Sequence, residues 1–196
     1  MRHTLPLLLL LFGCSPPKDT FVGGVGEIAR WEETSDGHVR IPLVAGLAWD
    51  PPQAAPGTLL KVAAREGPTV VIVTDVPDAP SPRALGTCAG AHASRIAVAA
   101  SKGGIAMTAP TVDDDVRKGK HVPRVHYAVA LDAKDAARPA SLMSSWTYVL
   151  VGDRCVALGV SAVVRSKVDD TGSPDPEDLH RLERVFSAIA EGVETK

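Results

Sequence analysis

Apolar positions along this chain fall into two rhythms, one of period two and one of three to four. The clearest alternation lies late, over residues 154–164. Cys155, Ala157, Gly159, Ser161 and Val163 share one face of that run, and Val156, Leu158, Val160, Ala162 and Val164 share the other. Both faces are apolar or small, which predicts a central strand covered by helices on at least one side. The β-branched run Trp146–Val151 precedes it, joined by Gly152-Asp153, a dipeptide suited to a tight hairpin. Earlier, Thr58–Arg65 and Thr69–Thr74 flank Glu66-Gly67-Pro68 and predict another hairpin. His38–Val44 is β-rich but interrupted by Pro42, which predicts an edge or irregular strand. Trp49-Asp50-Pro51-Pro52 reads as a turn, and Ile105–Thr108 and Val125–Leu131 add further strands.

The helical rhythm occurs twice. Ser81 is placed to accept from the first exposed amides of a helix, and Pro82 sits where a missing N–H costs nothing. That helix runs to about Val98 with Leu85, Cys88, Ala89, His92 and Ile96 on one stripe, before Gly103-Gly104. The second opens at Asp175-Pro176-Glu177-Asp178, an N-cap, an N1 proline and two acids at the positive helix end. Leu179, Leu182, Phe186, Ile189 and Val193 follow as its apolar stripe, Glu177 and Arg181 are spaced as an ion pair, and the helix ends near Gly192.

The fold class is therefore α+β, a mostly antiparallel sheet covered by two main helices. The order is an early strand ahead of Trp49, a hairpin, a helix at Ser81-Pro82, a late hairpin and an acid-capped final helix. Over residues 38–192 it resembles the PsbP-like and Mog-type α/β/α sandwich. That resemblance implies a binding or assembly module, commonly membrane-tethered, in place of an enzyme.

Composition narrows the classes. The chain has 196 residues with 45% hydrophobic, 22% charged and a net charge of -2, which predicts one domain and excludes a polybasic nucleic-acid binder. Only 4% of residues are aromatic, too few for a stacking platform for single strands.

The N-terminus carries an address. Arg2 precedes an apolar run from Leu5 to Phe12, followed by Gly13 and Cys14. Such a run falls far short of the roughly 20 residues of a membrane-spanning helix and has the size of a secretory h-region. Leu11-Phe12-Gly13-Cys14 resembles the lipobox of bacterial lipoproteins, with a bulkier residue than usual at Phe12. The resemblance implies that residues 1–13 are a cleaved signal peptide and that Cys14 is acylated. Ser15, lacking the acid of inner-membrane retention, implies the outer membrane. Pro16, Pro17, Gly23, Gly24 and Gly26 make residues 14–27 an extended, flexible tether, which leaves 28–196 as the single α+β domain.

Export places the remaining cysteines, Cys88 and Cys155, where disulfides persist, and the two are expected to pair. Other candidate chemistry is thin. Cys88 and His92 stand four apart on a helix, but two ligands do not make a metal site. Asp113-Asp114-Asp115 lacks the alternating acids and glycine of a calcium loop and reads as a solvated charged turn. His121 reads as a loop residue beside Pro123 and His126 as a strand residue. Ser161 lacks the second glycine of a nucleophile elbow, and Gly23–Gly26 is no phosphate cradle because no strand precedes it.

No catalytic, cofactor or metal residues are expected. The leading expectation is an outer-membrane lipoprotein whose domain binds another envelope protein, with the membrane and that protein as partners and no nucleic acid. A second reading is a periplasmic metal-binding protein or hydrolase built on Cys88, His92, His121 and Asp113–Asp115. A third is a small-ligand carrier.

Overall fold

The computed structural model describes residues 27–65, 69–117, 119–131, 140–166 and 173–196; residues 1–26, with Cys14, lie outside them. In chain order the elements are β1 (Ile28–Glu33), β2 (Val39–Val44), β3 (Leu60–Ala63), β4 (Thr69–Asp75), α1 (Leu85–Gly103), β5 (Thr111–Arg117), β6 (Lys120–Leu131), β7 (Ala140–Val151), β8 (Arg154–Arg165), α2 (Pro176–Gly192) and β9 (Glu194–Thr195). A six-stranded sheet has the order β3-β4-β8-β7-β6-β5, and a three-stranded one the order β1-β2-β9. All pairings between these strands are antiparallel.

β8 lies third in the large sheet, and its two faces feed two cores. Val156, Leu158, Val160 and Ala162 pack with Leu182, Val185, Phe186 and Ile189 of α2 and with Val39, Ile41 and Leu43 of β2. On the opposite face Cys155 and Ala157 join Trp146, Tyr148 and Val125 under Cys88 and Ala89 of α1. The architecture is thus α+β: α1 covers one side, and α2 with the small sheet closes the other.

Trp146 shows how tightly the α1 core is fitted. It is paired with Gly159, and a Cβ on Gly159 would stand 2.4 Å from the Trp146 ring. The indole therefore lies over the place where every other residue type would put a side chain. α2 is fixed at its first turn. The Asp175 carboxylate caps the Glu177 amide at 3.0 Å, and the amide of Asp175 donates to the Arg165 carbonyl at the end of β8 at 2.7 Å. Buried Asp178 accepts two guanidinium bonds from Arg165, both at 2.9 Å, and these bonds hold its carboxyl below the usual range. Arg181 reaches back to Asp178 at 3.3 Å.

Both expected hairpins form, β3–β4 and β7–β8, the latter turning at Gly152 with φ 58°. Several local expectations are corrected. β2 is the middle strand of the small sheet, although β9 pairs only with Val39 and Arg40 and so leaves Pro42 beyond that ladder. α1 starts at Leu85, three residues past Pro82: a cis peptide joins Ser81 to Pro82, these residues form a bend, and the Thr87 hydroxyl accepts from the Ala84 amide in place of a Ser81 cap. Ile105–Thr108 supplies one bridge, Met107 with Val129. Asp113–Asp115 lies inside strand β5, and His121 lies inside β6. Aspartate is poor in strands by local preference, but pairing of the whole of β5 with residues 120–126 of β6 overrides it here.

Two glycines separate fit from conformational freedom. Gly159→Ala should destabilise the chain by about 2 kcal/mol through overpacking against Trp146. Gly90→Ala, on the exposed face of α1 with open space around it, should stabilise by up to about 1 kcal/mol. Urea unfolding of the two variants against the parent checks both signs.

Candidate functional site

The residues that carry chemistry divide between the α1 core and the β5–β6 hairpin. Under α1, Cys88 and Cys155 form a disulfide with Cα atoms 5.8 Å apart, both residues 2% exposed or less. His92, one turn along the same helix face, donates or accepts at 2.9 Å with the Tyr148 hydroxyl. Its ring stands edge-on to Trp146 with centroids 4.7 Å apart. Burial pushes the imidazole down to about 4, with the Arg95 charge adding to the effect, and it pushes the Tyr148 phenol up. The Cys88 and His92 pair therefore joins the core. The thiol is spent in a covalent bond and the imidazole is held neutral. Ser161 likewise hydrogen-bonds Ser144 at 2.8 Å within the sheet.

The hairpin gathers the remaining candidates. Asp114 Oδ2 lies 2.5 Å from His121 Nδ1, and Asp113 Oδ2 lies 3.2 Å from His126 Nδ1. The strand register puts these two pairs on opposite faces, because Asp113 stands opposite Arg124 and Asp114 opposite Pro123. All four side chains are 42% exposed or more, in a solvated setting that neither desolvates a base nor encloses a substrate. Asp115 is taken up by Arg117 at 2.7 Å, whose guanidinium also donates to Ser187 at 2.6 Å. Arg117 and Arg124 both lie over the Phe186 ring, and Arg124 pairs with Glu183. These arginines fasten the hairpin to α2.

Concave surface is shallow. An apolar groove of about 270 Å³ opens between the end of α1 and β6, lined by Ile96, Ala100, Ile105, Met107, Tyr127 and Val129. A second hollow of about 220 Å³ lies over Cys155 beside Arg83 and Arg154. Its cations are already engaged: Arg83 donates to the Asp153 carbonyl and Arg154 to Asp36 at 2.6 Å. Burial pushes Asp36 up, but hydrogen bonds from Thr34, Arg154 and the His38 amide outweigh it and hold the carboxyl at about 2. Among the described residues no three potential ligands gather into a metal site. No described helix is long and apolar enough to cross a membrane.

The structure thus unites Cys88 with Cys155 and distributes the residues of the metal-or-hydrolase reading between a sealed core and an exposed hairpin. Cys14 and Gly23–Gly26 lie outside the described residues. The surface that the sequence did not mark is the outer edge of β5, the last strand of the large sheet. Val112 and Val116 stand there 47% and 58% exposed. Val112, Asp114 and Val116 alternate on one face, which was the available signal, masked by the three consecutive acids between the valines.

The chain is similar in structure to cyanobacterial PsbP (CyanoP) from Synechocystis sp. PCC 6803, with a TM-score of 0.50 and 16% identity over 89% of this chain and 97% of that one. It is also similar to the Ran-binding protein Mog1p of Saccharomyces cerevisiae, with a TM-score of 0.55 and 9% identity over 86% of this chain and 96% of that one. At these identities the likeness is one of fold, and it agrees with the order of elements read from the sequence. No family model and no curated protein matches the chain.

Two outcomes follow from the α1 core. Replacing both cysteines with alanine opens a loop of 67 residues and should lower stability by about 4 kcal/mol, read as a drop in the urea midpoint. The His92 imidazole titrates near 4 when folded and near 6.5 when unfolded, so the unfolded chain takes the proton first. Stability should be full above that upper value and fall on acidification toward the lower one, by about 3 kcal/mol. The double variant His92→Phe/Tyr148→Phe, which leaves no orphaned hydroxyl, should flatten this slope in unfolding curves taken across the same pH range.

Proposed function

We propose that this chain is a non-enzymatic binding module of a bacterial cell envelope, held at the outer membrane by acyl chains on Cys14, whose α+β body engages another envelope protein. The observation that carries the reading is the buried Cys88–Cys155 disulfide. Such a bond persists where thiols are oxidised and is rare in a reducing cytosol. It agrees with the export that the lipobox-like Leu11–Cys14 implies. Two or more acyl chains make release from a membrane negligible, whereas one holds only marginally.

The binding half rests on how the reactive side chains are used. Cys88, His92 and Ser161 are tied into the core, and the His–Asp pairs of the hairpin stand in solvent. The fold neighbour Mog1p is itself described as a Ran-binding protein, which supports protein binding as a use of this scaffold. A small-ligand carrier is the second reading, favoured by the apolar groove beside Met107. At about 270 Å³ the groove is smaller than the pockets that enclose most ligands, roughly 300–1,000 Å³.

Cys14→Ser should shift the protein from the membrane fraction to the soluble envelope fraction, and crosslinking of intact envelopes should give a discrete adduct with the parent that weakens on release. A Cys14→Ser variant that stays in the membrane fraction, or envelopes that yield no adduct, would contradict the reading.

A further inference from the structure

We propose that the outer edge of β5 receives a basic, extended segment of the envelope partner as an added strand of the large sheet, an inference that rests on the binding reading above. The two edges of this sheet are finished differently. At the β3 edge the chain covers itself: the Asp50 amide donates to Ala63 and the Gln53 amide to Lys61, both at 2.8 Å, and Trp49 bridges to Ala64. At the other end β5 offers seven residues whose pairing, among the described residues, is with β6 alone. About half of the main-chain amides and carbonyls of such a strand point away from its neighbour and can pair with an incoming chain.

The side chains of β5 select what that chain carries. Val112, Asp114 and Val116 project on the α1 side, because Val125, the cross-strand partner of Val112, lies in the α1 core and the other two follow Val112 at steps of two. The two valines are the exposed apolar seats, and Asp114 stands between them. On the other side Asp115 is held by Arg117, while Asp113 is exposed beside His126. A second copy of this chain is the wrong occupant. Antiparallel pairing of two β5 strands about Asp114 sets Asp114 against its own copy and each Asp113 against an Asp115, and like charges directly opposite are destabilising. A strand with apolar residues facing Val112 and Val116 and cations facing Asp113 and Asp114 removes that repulsion. Main-chain bonds then supply affinity and the alternating side chains supply choice.

The test uses the full chain in detergent and the synthetic peptide Thr-Val-Thr-Lys-Lys-Val-Thr, capped at both ends, with amide hydrogen exchange as the readout. Saturating peptide should slow exchange across residues 111–117. A peptide with glutamates in place of the lysines should leave exchange unchanged, and Asp113→Lys/Asp114→Lys, both exposed sites, should weaken binding about tenfold. Exchange that is not slowed in β5, slowing that survives the charge-reversed peptide, or slowing confined to the groove beside Met107 would each overturn the proposal. So would β5 exchange that, without peptide, slows with protein concentration, or that speeds up when residues 15–26 are deleted, because a second copy or the tether would then hold the edge. If envelope crosslinking finds a partner and the peptide fails, this proposal falls alone. If no partner is found, the binding reading falls whatever the peptide does.

Discussion

β8 buries both of its faces, and most of the architecture answers that constraint. A strand with one wet face needs a single cover; this one needs two. α1 meets one side and is joined to it covalently through Cys88 and Cys155. α2 meets the other and is fastened by the bidentate Arg165–Asp178 pair at the strand's last residue. The small sheet completes that second layer by sending Val39, Ile41 and Leu43 into the same core. Even the choice of glycine at 159 follows, since the Trp146 ring occupies the space of a side chain on the α1 side.

That demand on the interior leaves reactive side chains little freedom. A cysteine and a histidine one turn apart would suggest ligands on an open helix, but on a helix pressed against β8 they become a crosslink and a neutral, hydrogen-bonded core residue. Three consecutive acids stand at a margin of the sheet instead. One margin is closed by the chain's own 49–55 segment, and the other ends in β5, acidic and half-apolar. The proposed function therefore looks to the surface, where the outer edge of β5 is exposed.

The sequence made legible what depends on patterns within one element. The two apolar faces of residues 154–164, the Gly152-Asp153 turn and the Asp175-Pro176 cap each state a local requirement that the fold meets. Pairing of Cys88 with Cys155 was legible because, once Cys14 is set apart, two cysteines have one possible partner each. Signals failed where distant pairing overrides local preference. Asp113–Asp115 reads as a turn by composition and is a strand because β6 runs beside it for seven residues. Ser81 and Pro82 carry the chemistry of a helix start and stand in a bend before it. The fastening of Arg117 and Arg124 onto Phe186, far along the chain in α2, left no trace in local pattern.

Proposed export, anchoring and the disulfide are all reached by one measurement: the intact mass of the protein taken from its own membrane, before and after reduction. Expected is a chain that begins at Cys14, carries the mass of two or three acyl groups, and gains two hydrogen atoms when its one disulfide is reduced. A chain that keeps residues 1–13, carries no acyl mass and is unchanged by reduction would contradict all three.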